Sequence, residues 1–419
     1  MHAYQDERLA ELLDEVVPRN RFVAERFRQA GLSRSDIRGV GDLRKLPTTT
    51  KEELLARQDL APPYGDLFTY PRERYTRLHQ TSGTQGKPLR WLDTPQSWDW
   101  MLECWRKMFA MAGVTATDRI LFPFSFGPFL GFWTAFEAAG RMGALCLPAG
   151  GLSTQARVRM LLDHEATVVC CTPTYAMHLA LAAQEQGIAL QAGTPGFNVR
   201  AVIVAGEPGG SIPATRTRLE ASWHARVFDH SGLTEVGPMA MECRENPSGL
   251  HVLEEDYIVE IVDPQTGEPT TIGEIGEMLV TNLGRVGGPV LRYRTRDLVR
   301  VDPNPCPCGR KLMRLQGGIL GRTDDMIPIR GNNFYPGALE NVVRRFAEVA
   351  EYRVEVDASS PLAELKIEVE PTTPQSAELA YRIAAAIRDE LFFRAEVTLT
   401  PPGSLPRHEM KSRRVIRKR

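Results

Sequence analysis

Short apolar runs that alternate with helical patterns restrict the fold of this chain more than any other feature of its sequence. Between about residues 97 and 350, runs such as ILFPF, TVVCC and VIVA predict buried strands. The stretches 153–165 and 174–187, which lie between such runs, carry apolar residues at helical spacing. This alternation predicts an α/β fold in which helices flank parallel or mixed sheets. Because ligands bind such sheets beyond the carboxyl ends of the strands, we expect a site where VAGEPGG and DHSGLTE emerge.

The N-terminal residues and the C-terminal part of the chain show other patterns of apolar residues than this central region. Residues 5–30 carry two amphipathic helical patterns, and the sequence from about 252 shows strand alternation broken by turn-forming pairs. After GRTDD, the pattern predicts helices over 336–348 and 375–391 and strands at YRVEVD, LKIEVE and AEVTLT. We therefore predict a large domain over 1–322, β-rich from about 240 to 322, and a small α+β domain over 323–419.

Charge and composition exclude some classes of function. The chain has 419 residues, 42% of them hydrophobic, and a net charge of −1, so no overall field draws it to nucleic acid or an anionic membrane. Its acidic, amphipathic N-terminus does not resemble a signal peptide, and no apolar stretch approaches the ~18 residues of a membrane span. We expect a cytoplasmic protein that binds neither nucleic acid nor membrane.

Seven cysteines, an odd number in a long chain, argue against a disulfide framework. Four of them lie in apolar surroundings and are predicted to be core residues: Cys104, Cys146, Cys170 and Cys171. The other three lie near a histidine in the β-rich region. Together they could form a tetrahedral structural zinc site of three thiols and one imidazole, made of Cys243, His251, Cys306 and Cys308. Free surface thiols are the alternative.

The stretch TSGTQGKP concentrates hydroxyls, glycines and one cation in a few positions. Hydroxyl groups and glycine backbone N–H groups can approach phosphate oxygens, and a lysine adds positive charge. Its spacing differs from the common phosphate-binding loop, which requires four residues between its first Gly and Gly-Lys-Ser/Thr. A polar surface turn is the alternative for these residues, which are Thr81, Ser82, Gly83, Thr84, Gly86 and Lys87.

Several motifs, taken in order, identify a family. They are KLPTTTKEEL, TSGTQGKPL, VAGEP, DHSGLTEVG, LRYRTRDL, GRTDDMIPIRGNNFYP and PGSLPRHEMKSRRVIRKR. From about residue 40 to the C-terminus they resemble the adenylate-forming ligases, and specifically the phenylacetate–coenzyme A ligase branch. The resemblance implies a small mobile C-terminal domain and a reaction in two halves. A carboxylate reacts with ATP to give an acyl-adenylate and pyrophosphate, and a thiol then displaces AMP.

The resemblance also implies a role for particular residues. The loop from Thr81 to Lys87 is similar to the family's β- and γ-phosphate binder, Glu235 to its Mg²⁺ ligand, and Thr234 to its α-phosphate contact. Lys411 is similar to the catalytic lysine of the small domain, and Asp324 to the hinge about which that domain turns. The remaining implied ATP contacts are Glu207, Pro208, Asp229, His230, Ser231, Asp297 and Arg322, of which Asp297 and Arg322 would hold the ribose. A branch of the family carries a zinc ion of the Cys₃His kind.

Two departures from the family pattern concern the nucleotide. Ser231 stands where the family usually has an adenine-stacking Tyr, so we expect adenine to stack on His230 or to bind less tightly. Met410 stands where a Gly commonly precedes the lysine. The expected acyl pocket lies around FPFSFGPFLGFW, with Phe124, Phe126, Phe129, Trp133 and Gly206 as substrate contacts. Aromatic residues in such a run are equally typical of a core.

Three functions remain open from the sequence. The leading one is an ATP- and Mg²⁺-dependent ligase that makes a coenzyme A thioester of an aryl or arylalkyl carboxylic acid. The second makes the same adenylate but passes the acyl group to a carrier-protein thiol or an amine. The third is a non-catalytic nucleotide- or acyl-binding module. A homodimer stays open in each case.

Overall fold

The computed structural model of the chain describes residues 1–81, 87–329, 332–357, 364–374, 377–407 and 414–418. These residues form two compact units. Unit 1 contains Met1–Gly150 and His230–Gly318, and unit 2 contains Gly151–Asp229 and the chain from Ile319 to the C-terminus.

Helices and strands alternate along most of the chain. The helices are α1 (His2–Val16), α2 (Arg21–Gln29), α3 (Lys51–Leu60), α4 (Pro95–Ala112), α5 (Trp133–Arg141), α6 (Thr154–Asp163), α7 (Pro173–Glu185), α8 (Pro213–Trp223), α9 (Pro336–Val343) and α10 (Ala377–Leu391). The first ten strands are β1 (Arg77–Gln80), β2 (Arg90–Asp93), β3 (Arg119–Phe122), β4 (Leu145–Pro148), β5 (Val168–Cys171), β6 (Ala201–Val204), β7 (Arg226–Leu233), β8 (Gly237–Glu242), β9 (Gly249–Val252) and β10 (Tyr257–Val262). The others are β11 (Ile275–Asn282), β12 (Tyr293–Arg300), β13 (Arg314–Gln316), β14 (Gly321–Arg322), β15 (Ile327–Ile329), β16 (Asn332–Phe334), β17 (Val349–Asp357), β18 (Glu364–Pro371), β19 (Glu396–Leu399) and β20 (Val415–Lys418).

The two N-terminal helices of unit 1 form as predicted, since their apolar residues recur every three or four positions and therefore share one face. The side chain of Asn20 caps α2 by accepting a hydrogen bond from the backbone N–H of Val23. Leu9, Leu13 and Phe27 are buried in one cluster with apolar side chains of the β-rich segment. These helices are therefore packed elements of unit 1.

The strands of unit 1 show the predicted change from alternating strands and helices to a β-rich region. β3 and β4 are parallel, whereas β8 and β9 are antiparallel and are extended on one side by β13 and on the other by the second half of β7. β10, β11 and β12 form a separate antiparallel meander. The β-rich character expected from about residue 252 is confirmed.

Among the described residues, unit 2 contains two larger sheets besides the two-stranded pair of β15 and β16. The parallel strands β5, β6 and the first half of β7 carry the helices α6, α7 and α8, and the carboxyl end of β6 leads into AGEPGG. The second sheet has the order β19-β18-β17-β20 and packs on α9 and α10 through a core that includes Val343, Ile367 and Ile383. The predicted α/β fold is confirmed.

Two details differ from the expectations. Helix α9 ends at Val343 and not at 348, because the following backbone hydrogen bonds join residues three apart and turn the chain into β17. Cys146 is half-buried, whereas Cys104, Cys170 and Cys171 are buried as predicted. Within the described ranges, the helices are too short or too polar to cross a membrane.

Candidate active site

The phosphate-loop sequence connects two paired strands of unit 1. β1 and β2 are antiparallel, with His79 opposite Trp91. Beyond them, the Thr81 N–H donates to the Leu89 carbonyl at 2.9 Å, and the Leu89 N–H donates to Thr81 Oγ1 at 3.0 Å. These bonds fix both ends of the connecting segment. Within that segment, the predicted phosphate contacts Ser82, Gly83, Thr84 and Gly86 lie outside the described residues.

The predicted phosphate-binding cation lies on the surface. Lys87 Nζ donates to the two carboxylate oxygens of Asp59 at 3.0 and 3.1 Å, and both side chains are exposed. An exposed ion pair of this kind contributes about 0–1 kcal/mol, because water screens both charges. Lys87 can therefore exchange Asp59 for a phosphate at little cost.

A buried ion pair joins the same hairpin to the GLTE motif. Arg285 Nε and Nη2 donate to the two Asp93 carboxylate oxygens, each at 2.7 Å, and both side chains are fully buried. Arg285 Nη1 also donates to the backbone carbonyl of Thr234 at 2.6 Å. Since Asp93 ends β2, the planar guanidinium fixes Thr234 relative to the phosphate hairpin.

Sequence reasoning missed this pair, because neither residue belongs to a motif that carries chemistry by itself. The available signal was a charged residue in apolar or glycine-rich surroundings, as in RWLD and NLGRVGG. A charge in such a context is rarely buried unless it is paired.

The predicted Mg²⁺ ligand is held in a defined orientation. Glu235 is 3% exposed, and the Tyr293 hydroxyl donates to its Oε1. Tyr293 opens β12, so the meander of unit 1 sets the direction of this carboxylate. A nearly buried carboxylate that is oriented by a hydroxyl is well suited to bind a hard cation.

Asp297, the predicted ribose contact, lies on an irregular part of β12. The register with β11 shifts between Glu277 and Leu279, and Arg296 has a φ of +68°. The Asp297 N–H donates to Thr295 Oγ1 at 3.0 Å, and Thr295 Oγ1 donates to the Met278 carbonyl at 2.9 Å. Strand irregularities re-aim side chains next to functional sites, and here one determines the direction of Asp297.

The segments expected to flank adenine lie in unit 2. Glu207 Oε1 accepts a hydrogen bond from the Thr174 N–H at 2.9 Å, in the first turn of α7. Asp229 Oδ2 accepts from the Ser211 hydroxyl at 2.5 Å. A Cβ on Gly210 would lie 2.5 Å from the Asp229 carboxyl carbon, so glycine is required there.

Three further predicted residues are Gly206 and Pro208 of unit 2 and Ser231 of unit 1. Gly206 has a φ of +93°, which turns the chain after β6 and leaves the following Pro208 exposed. Ser231 is buried at the bulge where β7 pairs with β8.

The predicted hinge residue pairs with the predicted ribose-binding arginine. Arg322 Nε donates to Asp324 Oδ1 at 3.0 Å, and Arg322 Nη2 donates to Asp324 Oδ2 at 3.3 Å. Both residues belong to unit 2, just after it resumes at Ile319. The catalytic lysine of the sequence prediction, Lys411, lies outside the described residues, as does Met410.

Aromatic side chains expected in the acyl pocket form one cluster in unit 1. Phe126 makes edge contacts with Phe124 and Trp133, at centroid distances of 5.3 and 4.9 Å. Phe124 in turn contacts Phe132, a residue that the sequence did not assign to the acyl pocket. The half-buried Phe129 lies between Phe126 and Phe132 in the chain.

His230 lies on this aromatic cluster. Its ring meets Trp105 at 4.7 Å and Phe132 at 5.5 Å, both edge-on. The prediction that it stacks on adenine stays a prediction, and its observed neighbours in unit 1 are aromatic side chains.

The four candidate metal ligands converge. Cys243 Sγ lies 3.7 Å from Cys306 Sγ, Cys308 Sγ lies 3.5 Å from His251 Nε2, and the four ligand atoms all lie within 4.8 Å of one another. Two thiolates bound to one tetrahedral zinc ion at ~2.3 Å would lie roughly 3.8 Å apart, so the spacing fits. Burial raises the pKa of Cys243 to about 11. Burial would also raise the pKa of Cys308, but hydrogen bonds from Arg310 and neighbouring thiols lower it.

Comparison with known proteins places this geometry in a family. Residues 4–287 match the family model described as AMP-binding enzyme, and residues 331–419 match that of the AMP-binding enzyme C-terminal domain. The chain is 32% identical to a phenylacetate-coenzyme A ligase of Thermus thermophilus, over 99% of this chain and 96% of the other. It is also 32% identical to a phenylacetate-coenzyme A ligase of Escherichia coli, over 99% and 94%.

A solved structure of high similarity is 2-hydroxyisobutyryl-CoA ligase in the postadenylation state in complex with 2-HIB-AMP. The two chains are 26% identical with a TM-score of 0.92, and the match covers 99% of this chain and 89% of the other. Since the AMP-binding model spans more than half of the sequence and the relatives match almost end to end, the chain belongs to the AMP-binding enzyme family.

Proposed function

We propose that this chain is an AMP-forming acid–coenzyme A ligase for an aromatic carboxylic acid. In the first half-reaction, a carboxylate oxygen forms a bond to the α-phosphorus of ATP while the bond to pyrophosphate breaks. In the second, the sulfur of coenzyme A bonds to the acyl carbon, AMP leaves, and the thiol proton passes to solvent. The observation that carries the proposal is the Thr234–Glu235 pair, held by Arg285 and Tyr293 in a chain similar to phenylacetate-coenzyme A ligases along its length.

The roles of the individual residues are part of the proposal. Glu235 holds Mg²⁺, which neutralises phosphate charge when it is bound, and Thr234 contacts the α-phosphate. Asp297 accepts hydrogen bonds from the ribose hydroxyls, and Arg322 is assigned to the ribose as well, while Lys87 and the loop before it hold the leaving phosphates. Lys411 balances charge between the carboxylate and the α-phosphate. A positive charge lowers the barrier to adenylation most when it is in place before the transition state forms.

The acyl acceptor and the acid class are the points to test first. We expect ATP–pyrophosphate exchange that depends on an aromatic acid, and thioester formation when coenzyme A is added. Exchange without thioester would favour the carrier-protein or amine acceptor. The absence of exchange with every acid of a benzoate and phenylacetate panel would favour the binding module.

Lys411 gives a sharper test of the two-step mechanism. Lys411→Ala should slow adenylation by at least about a hundredfold, a loss of roughly 3 kcal/mol of transition-state stabilisation. Transfer from a pre-formed acyl-adenylate to coenzyme A should change little. Lys418→Ala removes a charge from the same basic tail and is the matched control. An equal loss in both half-reactions would contradict the role of Lys411.

We also propose that Cys243, His251, Cys306 and Cys308 bind a structural zinc ion. The convergence of the four ligand atoms supports it, and with four protein ligands no coordination position is left for a substrate. The small domain over 323–419, its hinge at Asp324, a homodimer and a cytoplasmic location remain predictions.

A further inference from the structure

Arg414 makes hydrogen bonds to two different parts of unit 2. Its Nε and Nη2 donate to the two carboxylate oxygens of Glu351, at 2.7 and 3.1 Å, and its Nη2 also donates to Thr174 Oγ1 at 2.9 Å. Glu351 lies on β17, which pairs in parallel with β20, so the bonds to Glu351 stay within one sheet. The bond to Thr174 is different, because it joins the segment before β20 to helix α7.

Thr174 lies at the edge of the parallel sheet where ligands are expected. Helix α7 begins directly after β5, and Thr174 is buried in its first turn. The Thr174 N–H donates to Glu207 Oε1 at 2.9 Å, and Glu207 follows β6 in one of the predicted nucleotide segments. Because β5 and β6 are parallel, both segments lie at the carboxyl edge of the sheet. The Thr174 hydroxyl therefore fixes Arg414 at this edge.

Helix α9 is joined to helix α8 by hydrogen bonds of its own. Ile212 provides no side-chain cap for α8, and Asn341 Oδ1 on α9 accepts from the Ala214 N–H in the first turn of α8 at 3.1 Å. Glu340 Oε1, also on α9, accepts from the Thr215 hydroxyl at 3.3 Å. Since α9 packs on the sheet that contains β17 and β20, these bonds and that of Thr174 hold this sheet against the first turns of two helices.

The bond to Thr174 restricts the chain next to the residue that the sequence assigns to adenylation. Lys411 precedes Arg414 by three residues, so covalent geometry keeps their Cα atoms within about 11 Å. The neutral hydroxyl of Thr174 balances no charge, and Arg414 keeps Glu351 as its counter-ion without it. Loss of this one bond therefore leaves no unpaired charge in the interior and changes the position of Arg414 more than the stability of the fold.

We propose that Thr174 is a positioning residue for adenylation, whose hydroxyl binds Arg414 and so holds the segment that carries Lys411 at the nucleotide edge of the sheet. Thr174 acts through Arg414 and contacts no reacting atom in this role. Because Lys411 serves only the first half-reaction, the bond contributes to adenylation and not to transfer. This inference rests on the proposed function and adds a residue that controls its first step.

The test removes the acceptor without changing charge or side-chain shape. The acid is the one in the benzoate and phenylacetate panel that gives the fastest exchange with the wild type. Thr174→Val should lower the single-turnover rate of adenylation by about fivefold or more, since a small misplacement of a catalytic group slows a reaction strongly. The rate of transfer from the pre-formed acyl-adenylate to coenzyme A should be unchanged. Thr174→Ser, which keeps the hydroxyl, should retain the wild-type rate of adenylation.

Thr154→Val is the matched control. Thr154 is also a buried threonine in the first turn of a helix of unit 2, α6, and its hydroxyl lies 3.3 Å from that of Tyr175. This substitution should leave the ratio of the two half-reaction rates unchanged, whereas Thr174→Val should lower the ratio of adenylation to transfer. If thermal unfolding shows that Thr174→Val does not fold, the comparison of Thr174→Ala with Thr174→Ser carries the same test.

The outcomes that contradict the proposals are distinct. Adenylation by Thr174→Val at the wild-type rate, or an equal loss in both half-reactions, would refute the role of Thr174 alone. The same change of ratio in Thr154→Val would also refute it, since that hydroxyl has no bond to Arg414. A wild-type protein that adenylates no acid of the panel would overturn the proposed function, and this inference with it.

Discussion

Arg285 is the residue on which the geometry of the Thr234–Glu235 pair most directly depends. It places two hydrogen bonds on Asp93 and one on the Thr234 carbonyl, in a fully buried position. A lysine could preserve the charge but not the planar fork that makes three bonds at once. The site therefore depends on a residue that does not itself contact the reacting atoms.

We expect Arg285→Lys to lower the kcat/KM of adenylation by about tenfold or more, because Thr234 loses its fixed position. Arg285→Met should in addition reduce the free energy of unfolding by about 3–5 kcal/mol, since it leaves the Asp93 carboxylate buried without a partner. Exchange kinetics and chemical denaturation measure the two effects.

Arg292→Lys is the matched control for this prediction. Arg292 also binds a carboxylate with two of its nitrogens, that of Glu260 in unit 1, but its Nη1 donates to the Arg44 and Leu46 carbonyls and not to Thr234. An equal loss of adenylation in Arg285→Lys and Arg292→Lys would show that the effect is one of general packing.

At the scale of elements, the cysteine–histidine cluster brings together the end of β8, strand β9 and the turn between β12 and β13. Cys243 follows β8 and His251 lies on β9, while Cys306 and Cys308 lie in the turn between β12 and β13. A metal ion bound there would fix that turn to the edge of the β8–β9 pair. Such a site stabilises by preventing separate motion of its loops and takes no part in the chemistry.

We expect about one zinc ion per chain by elemental analysis. Its removal by a strong chelator should lower the thermal midpoint by several degrees, because metal binding free energy contributes to folding. Cys306→Ser should reproduce this shift, whereas Cys146→Ser, at a half-buried thiol outside the cluster, should not. A folded, fully stable protein without metal would refute the zinc site.

At the scale of the whole molecule, a buried ionic cluster joins two distant parts of the chain within unit 2. Glu351 accepts hydrogen bonds from Arg344 at 2.9 Å and from Arg414 at 2.7 Å. Arg414 also donates to Thr174 Oγ1 at 2.9 Å, in the first turn of α7. The cluster thus ties β17 and the segment before β20 to the parallel sheet of unit 2.

This cluster predicts a dependence of stability on pH. Although burial would raise the pKa of Glu351, Arg344 and Arg414 lower it to about 2, below its ordinary value near 4.5. The stabilisation is therefore present above about pH 4.5 and is lost as the pH falls toward 2, with a magnitude up to about 3 kcal/mol. Glu351→Gln should be less stable than the wild type at pH 7, and the difference in unfolding free energy should shrink across this window.

Glu368→Gln is the control for the pH dependence. Glu368 on β18 pairs with Arg353 on β17, the strand that also carries Glu351, but both side chains are more than one third exposed, so little pH dependence is expected. A difference between wild type and Glu351→Gln that stays constant from pH 7 to pH 2 would contradict the assignment.

The extent to which the sequence predicts the site differs among these residues. Glu235, Asp297 and the four metal ligands are recognisable because each belongs to a motif whose residue types carry chemistry. Asp93 and Tyr293 are not, since their function depends on partners that folding brings close from distant positions. His230 was recognised from its motif as a nucleotide contact, but a linear motif does not show that Trp105 and Phe132 are its ring neighbours.

The sequence by itself determined the α/β fold, the family and most of the residue types in the site. These follow from the spacing of apolar residues and from short motifs, which are local properties of the chain. Only the tertiary structure decided that Arg285 fixes Thr234, that four ligand atoms from two loops and one strand converge, and that Tyr293 orients Glu235. The physical reason is that burial and hydrogen-bond pairing depend on contacts between residues far apart in sequence, which no local pattern encodes.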